Sequence, residues 1–304
     1  MLGTLSSGYD STTNTVLAQK AGLHEVISFS EARSGDADDG KEIADILGIP
    51  LTLIPRDSWK SHNLAEVPFI AADAKGEDVY FGAAADKLSG RVLLTGFHGD
   101  KVWGKETYTL DSTIVRGDRS GLSLTEYRLW TGFIHFPIPF MGVRQIKEIN
   151  AISNSPEMKP WDVPGNYSRP ICRRIVEGAG VPRNKFGMTK KAASVLFGAS
   201  KDMLTPITRS ALYAWLHSES KHKAGQGEIP SQKLSELMQR FSIPYKIIIK
   251  GVKKAAKLLP GPVGAQVQKV AGRLDNFEHN TNPFNYAFPW AIKEVKARYK
   301  AYNK

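Results

Sequence analysis

The chain predicts an α/β fold: a parallel sheet with helices on both faces, followed by a mostly helical C-terminal region. Three observations carry this. Short apolar runs at residues 2–5, 25–29, 51–54 and 91–95 each end at turn residues, as buried strands do. Segments with helical spacing lie between the first three runs, at 12–21 and 41–47, with Gly48 stopping the second. Strand–helix–strand–helix–strand order with short connections favours parallel pairing.

Each element has its own signal. Val16 and Leu17 give the first helix an apolar face, and Ile43, Ala44, Ile46 and Leu47 do so for the second. Residues 30–40 form an acidic, Gly-containing loop, and 60–90 read as helix in pieces. Beyond Leu122 no strand is expected, and helices are expected near 122–134, 143–152, 169–178, 190–199 and 205–217. Pro156, Pro160, Pro164, Gly165 and Pro170 mark an irregular connector. Polar residues 218–231 predict a mobile linker between a domain at 1–217 and a basic helical region at 232–304. Within that region, helices are expected at 234–241, 245–259, 263–274 and 290–302, with a break at Pro260-Gly261-Pro262.

The first turn carries the chemistry. Ser6-Ser7-Gly8-Tyr9-Asp10-Ser11 joins the first strand to the first helix. A strand, a small-residue turn and a helix start together aim backbone N–H groups at one point, at the positive end of the helix dipole, where phosphate is held well. Ser6, Ser7, Gly8 and Ser11 would line that point, and Asp10 adds a carboxylate able to carry Mg²⁺ on the same phosphates. The same residues also suit a Ser-rich cap on an ordinary helix. In parallel sheets ligands sit at the carboxyl ends of strands, where this turn and the one after Thr95 both fall.

The turn resembles the pyrophosphate-binding loop, Ser-Gly-Gly-x-Asp-Ser, of ATP enzymes that cleave between the α and β phosphates. Ser7 replaces the first of the two glycines. A second match, Leu94-Thr95-Gly96-Phe97-His98-Gly99-Asp100-Lys101-Val102-Trp103-Gly104, resembles without gaps the motif Leu-Ser-Gly-Glu-Gly-Ala-Asp-Glu-Leu-Phe-Gly of the asparagine synthetase family. That likeness implies Thr95 and Gly96 against the adenine end of ATP, and Asp10 with Asp100 on Mg²⁺. Two carboxylates from two strand ends suit a hard cation on a triphosphate, although Asp100 alone would also pass as a turn residue. A third, weaker match runs from Val181 to Lys191 and implies Lys190 as the catalytic lysine, stabilising charge as pyrophosphate leaves. Arg173-Arg174 matches an Arg-rich helix of the same relatives. Lys190 and Lys191 would equally face water on a helix, with Lys191 or Lys185 as replacements for the role.

The resemblance covers roughly residues 1–200. It is to the synthetase domain of asparagine synthetase and β-lactam synthetase, and it implies a Rossmann-like (HUP-like) ATP pyrophosphatase fold. Such enzymes adenylate a carboxylate with ATP and Mg²⁺, release pyrophosphate and pass the acyl group to a nitrogen nucleophile. Three departures stand out. No glutaminase domain is read in these 304 residues. Phe97 occupies the position of the family's Glu. The family's Glu-x-Arg-x-Pro-Phe-Leu-Asp stretch appears as His135-Phe136-Pro137-Ile138-Pro139-Phe140-Met141-Gly142, without its carboxylates and arginine. The ATP half is kept better than the acceptor half, so aspartate is a doubtful substrate. His98 and His135 fall inside the altered motifs as candidate general bases or as structural residues.

Composition bounds the rest. An apolar fraction of 41% and a charged fraction of 23% in 304 residues fit a globular chain with a sizeable core. No transmembrane run or signal peptide is read, and Cys172 alone rules out an internal disulfide or a Cys-rich metal site, so the cytoplasm is expected. The net charge of +11 is confined to residues 221–304, with sixteen Lys/Arg against five Asp/Glu. Such a tail suits nucleic acid, an anionic membrane or an acidic partner, or simply a soluble helical surface. The leading expectation is a C–N ligase acting on a carboxylate and a nitrogen donor, served by a separate amidotransferase or N-terminal partner subunit. Alternatives are an RNA-directed ATP pyrophosphatase and a non-catalytic nucleotide-binding subunit. Only five residues precede the loop, so the start is expected to be a natural short version, a clipped one, or one whose preceding domain is encoded separately.

Overall fold

The computed structural model describes residues 1–105, 121–165, 167–195, 204–222 and 232–302. In chain order it contains β1 (Leu2–Thr4), α1 (Tyr9–Gln19), β2 (Val26–Phe29), α2 (Lys41–Leu47), β3 (Leu51–Ile54), α3 (Val67–Asp73), α4 (Ala85–Leu88), β4 (Val92–Thr95) and α5 (Gly99–Val102). There follow α6 (Leu124–Thr131), β5 (Ile134–Pro137), α7 (Ile146–Ser153), α8 (Pro170–Gly178), α9 (Pro206–His222), α10 (Gln232–Leu258), α11 (Gly261–Thr281) and α12 (Ala287–Tyr302). The chain divides into two compact units, one of residues 1–62 with 77–195, the other of 63–76 with 196–304.

The first unit is built on a five-stranded parallel sheet in the order β3-β2-β1-β4-β5. Leu2 pairs with Leu93 and Gly3 with Val26, so β1 is central. From β1 the chain winds outward to β3, then returns to the other side of β1 for β4 and β5. Right-handed crossovers put the connections of the two halves on opposite faces. The strand order therefore reverses between β1 and β4, the crevice where such sheets hold ligands. The chain has an α/β, Rossmann-like fold followed by a helical C-terminal region.

Apolar residues of α1, β2, α2, β4 and α8 share one core, with Tyr9, Val26, Cys172, Val176 and Phe186 wholly buried. Burial raises the Cys172 thiol to about 12, so it stays protonated near neutral pH.

Several expectations are corrected. A fifth strand, β5, follows Leu122 and pairs with β4 from Val92↔Ile134 to Thr95↔Pro137. Residues 190–195 are not helical. They are pinned instead by backbone bonds from Arg33 N to Ala192 O at 2.7 Å and Val195 N to Glu77 O at 2.8 Å, and by Arg56 Nε on Ala193 O at 2.8 Å. Residues 196–199 of that expected helix lie outside the described residues, as do 223–231 of the expected linker. Residues 218–222 continue α9. The two helices expected at 234–241 and 245–259 are one, α10, which runs through an exposed Pro244.

In the second unit, α3 packs against α12 and α12 against α9. Val67, Phe69, Trp290 and Ala291 are fully buried. Buried Glu66 accepts hydrogen bonds from Thr205 N, Thr205 Oγ1 and Thr208 Oγ1, capping the start of α9. α10 and α11 form an antiparallel hairpin, closed by Tyr245 OH on Leu274 O at 3.2 Å and by Lys253–Asp275 at 2.7 Å. Among the described residues no helix is long and apolar enough to cross a membrane.

Candidate nucleotide site at the strand-order reversal

The loop between β1 and α1 is held by its own hydroxyls. Ser6 Oγ and Ser11 Oγ lie 2.8 Å apart, Ser6 N donates to Ser11 Oγ at 3.1 Å, and Gly8 N donates to Ser6 Oγ at 3.2 Å. Thr12 Oγ1 lies 2.9 Å from Ser6 O and 2.8 Å from Gly8 O, tying the loop to the first turn of α1. Ser7 differs from its neighbours. Its amide and its hydroxyl both donate to one oxygen, Asp38 Oδ1, at 2.9 and 2.6 Å. Asp38 comes from the acidic loop after β2 and is nine-tenths buried.

The second motif meets the first at Asp10. Gly96 and Gly99 flank that residue so closely that an added Cβ would lie 2.4 Å from the Asp10 carbonyl carbon at Gly96, and 2.2 Å from Oδ1 at Gly99. Only glycine admits this approach. Asp100 follows directly, partly exposed at the start of α5, so both acid-bearing turns stand at the ends of adjacent strands. Thr95, at the end of β4, is buried with its Oγ1 2.8 Å from His135 Nε2.

Asp10 is also ion-paired with Arg169, which is buried at the start of α8. Burial opposes the guanidinium charge, but the attraction and hydrogen bond of Asp10, with its other neighbours, together outweigh it, and Arg169 is held firmly cationic. Its guanidinium lies over the Tyr9 and Tyr167 rings, at 5.8 and 5.4 Å. Below it, buried Arg173 donates through Nη2 to Tyr9 OH at 2.5 Å and through Nη1 to Arg183 O at 3.1 Å. Arg174 instead faces solvent, over Trp161 at 4.9 Å.

The third motif reaches the same loop. Gly187 N donates to Ser7 O at 2.8 Å, and Gly187, at φ +62°, sits where a Cβ would fall 2.3 Å from the Tyr9 ring. Four residues on, Lys191 Nζ donates to Ala37 O at 2.7 Å, next to Asp38. Lys190 therefore lies in an irregular segment between Gly187, bonded to Ser7 O, and Lys191, bonded to Ala37 O, with an exposed side chain. Lys185 pairs with Glu42 at 2.6 Å.

The two altered motifs also come together. His98 adopts φ +70°, a conformation non-glycine residues rarely take, and its ring meets Phe140 edge-on at 4.7 Å. Phe97 lies half-buried among Phe81, His135 and Gly121. Burial, helped by the nearby His98 and Arg128, lowers His135 to about 4, so it is neutral near pH 7.

Two contacts escaped sequence reading: Asp38 on Ser7, and Arg169 on Asp10. Both partners were visible as types, an acidic loop after β2 and an arginine four residues before Arg173, but neither has a local pattern that assigns its partner.

The chain matches no family model and no curated protein. Among solved structures it is similar to "the crystal structure of predicted subunit of tRNA methyltransferase" from Methanocaldococcus jannaschii. That likeness covers 65% of this chain and 96% of the other, at 14% identity and a TM-score of 0.27. A likeness so slight carries no statement about shared chemistry.

Proposed function

We propose that the chain is a cytoplasmic, ATP- and Mg²⁺-dependent enzyme of asparagine synthetase-like type, which activates a carboxylate with release of pyrophosphate and passes the acyl group to a nitrogen nucleophile. The observation that carries this reading is the convergence of three separated segments on one loop: Asp10 enclosed by Gly96 and Gly99, and Gly187 bonded to Ser7 O. Their order along the chain is that of the resembled ATP-site motifs.

The residues fit the ligands. Ser7 already offers an amide and a hydroxyl to a single anionic oxygen, supplied by Asp38; a phosphate oxygen asks for the same pair of donors. Among the described residues no three His, Cys, Asp or Glu side chains gather as a metal site. A Mg²⁺ ion held by Asp10 and Asp100 would take its remaining ligands from phosphate and water, as that ion commonly does. Bound there, it would neutralise phosphate charge. Arg169 pairs with Asp10, Ser6 and Ser11 fix the loop, and Lys190 would supply positive charge where the leaving pyrophosphate develops negative charge. Phe97, against Phe81 and His135 in place of a carboxylate, supports an acceptor other than aspartate.

The test is pyrophosphate release from Mg-ATP over a panel of carboxylates with ammonia or amines, alongside calorimetry of ATP binding. Asp10→Asn and Asp100→Asn are each expected to weaken ATP binding in Mg²⁺. Unchanged affinity in both overturns the assignment. Turnover only with added tRNA would favour an RNA-directed enzyme, for which the basic C-terminal charge speaks. Binding without any turnover would leave a nucleotide-binding partner subunit.

A further inference from the structure

Helix α10 carries seven Lys/Arg and one acidic residue in 27 positions. Tyr245, Ile249, Val252 and Ala256 recur at heptad spacing on one side, where Tyr245 bonds α11 and Ile249 and Ala256 are buried. The other side should then be polar. Instead Ile243, Ile247, Ile248 and Leu258 stand in water, Ile247 at 65% and Leu258 at 79% exposure. The stripe spans about 22 Å of helix and continues into the hairpin tip, where Leu259 and Val263 are also exposed. Lys246, Lys250, Lys254 and Lys257 are exposed along the same stretch.

We infer that the α10–α11 hairpin is a membrane-surface element, lying on an anionic bilayer with Ile243, Ile247, Ile248 and Leu258 in the headgroup–acyl boundary and its lysines among lipid phosphates. The argument is one of charge and chemistry together. A helix whose exposed aliphatic groups are flanked by lysines binds anionic interfaces through both. Single-stranded RNA would ask for a series of aromatic faces to stack bases; Phe241 and Phe277 are exposed on the hairpin, but its remaining exposed large apolar groups are aliphatic. A second copy docking on this stripe would set its lysines against identical lysines. This surface is independent of the nucleotide site.

The test is co-sedimentation of the full chain with vesicles of phosphatidylcholine and phosphatidylglycerol at 3:1, against phosphatidylcholine alone. Binding is expected only to the anionic vesicles and should weaken with salt. Replacing Lys250, Lys254 and Lys257 together by Gln should lower affinity on the order of a hundredfold. Ile247→Glu with Leu258→Glu should lower it at least about tenfold while the helical circular-dichroism signal is kept, since both residues are exposed. Leu258→Trp should show blue-shifted emission on the anionic vesicles. Three results would overturn the inference: no sedimentation at low salt, sedimentation indifferent to the Glu pair and matched by equal affinity for tRNA, or self-association that the Glu pair abolishes.

Discussion

Gly99 lies against the carboxylate of Asp10, with only 2.2 Å between Asp10 Oδ1 and the place a Cβ would take. The contact joins two turns separated by almost ninety residues, and no other side chain fits between them. Gly99→Ala and Gly96→Ala should each cost about 1–3 kcal/mol of stability and weaken ATP binding by displacing Asp10. Gly178→Ala, at the end of α8 with nothing within 4 Å of its Cβ position, is the control and should change stability little. Urea unfolding with calorimetry checks both halves.

Asp38 occupies the two Ser7 donors, so it competes with any anion for them. Asp38→Ala should strengthen pyrophosphate and ATP binding several-fold, whereas Ser7→Ala should weaken it; the same change at Asp38 should cost about 1–2 kcal/mol of folding stability. Equal loss of binding in both variants would show instead that Asp38 orders the loop.

His135 gives a pH signature. Its folded value, about 4, lies below the ordinary 6.5 because burial disfavours the imidazolium. Above pH 6.5 both folded and unfolded states are neutral at this position, so it contributes no slope. As pH falls toward 4 the unfolded chain takes up the proton first, and stability should drop by up to about 3 kcal/mol. His135→Phe should flatten that part of the profile, with Thr95 left to find another partner.

Lys190 and Lys191 should part company. Lys190 is exposed near the loop, while Lys191 is engaged by the Ala37 carbonyl. Lys190→Ala should keep ATP affinity near normal and lower pyrophosphate release on the order of a hundred- to a thousand-fold. Lys191→Ala should loosen the segment instead, changing ATP affinity more than turnover. Parent-like release by Lys190→Ala would remove the catalytic role.

The central strands were legible because each is a short apolar run closed by Gly, Pro or a small-residue turn, and parallel pairing follows from their spacing. β5 was not. Among the described residues only β4 pairs with it, and Ile134 and Phe136 point outward at 59% and 41% exposure, so Ile134-His135-Phe136-Pro137 has neither a buried run nor an apolar face turned inward. The segment at 190–195 has helix-forming residues, but bonds from Arg33, Arg56 and Val195 set its path, and such tertiary partners override propensity. The helices expected at 234–241 and 245–259 join through Pro244, which is exposed, where water can satisfy the carbonyl its ring leaves unpaired. The anion-binding turn was legible because it depends on adjacent residues. Asp38 and Arg169 were not, because they reach their partners across 31 and 159 positions.

Helix α3 is surrounded in sequence by the first unit yet belongs to the second, where Val67 and Phe69 are buried and α3 packs on α12. On a ribosome, that apolar helix emerges more than two hundred residues before the helix it packs against. The second unit cannot finish folding until α12 has emerged, so α3 is a natural client for a chaperone during synthesis. A chain stopped before residue 287 would keep α3 without its partner and should aggregate, whatever the state of the sheet.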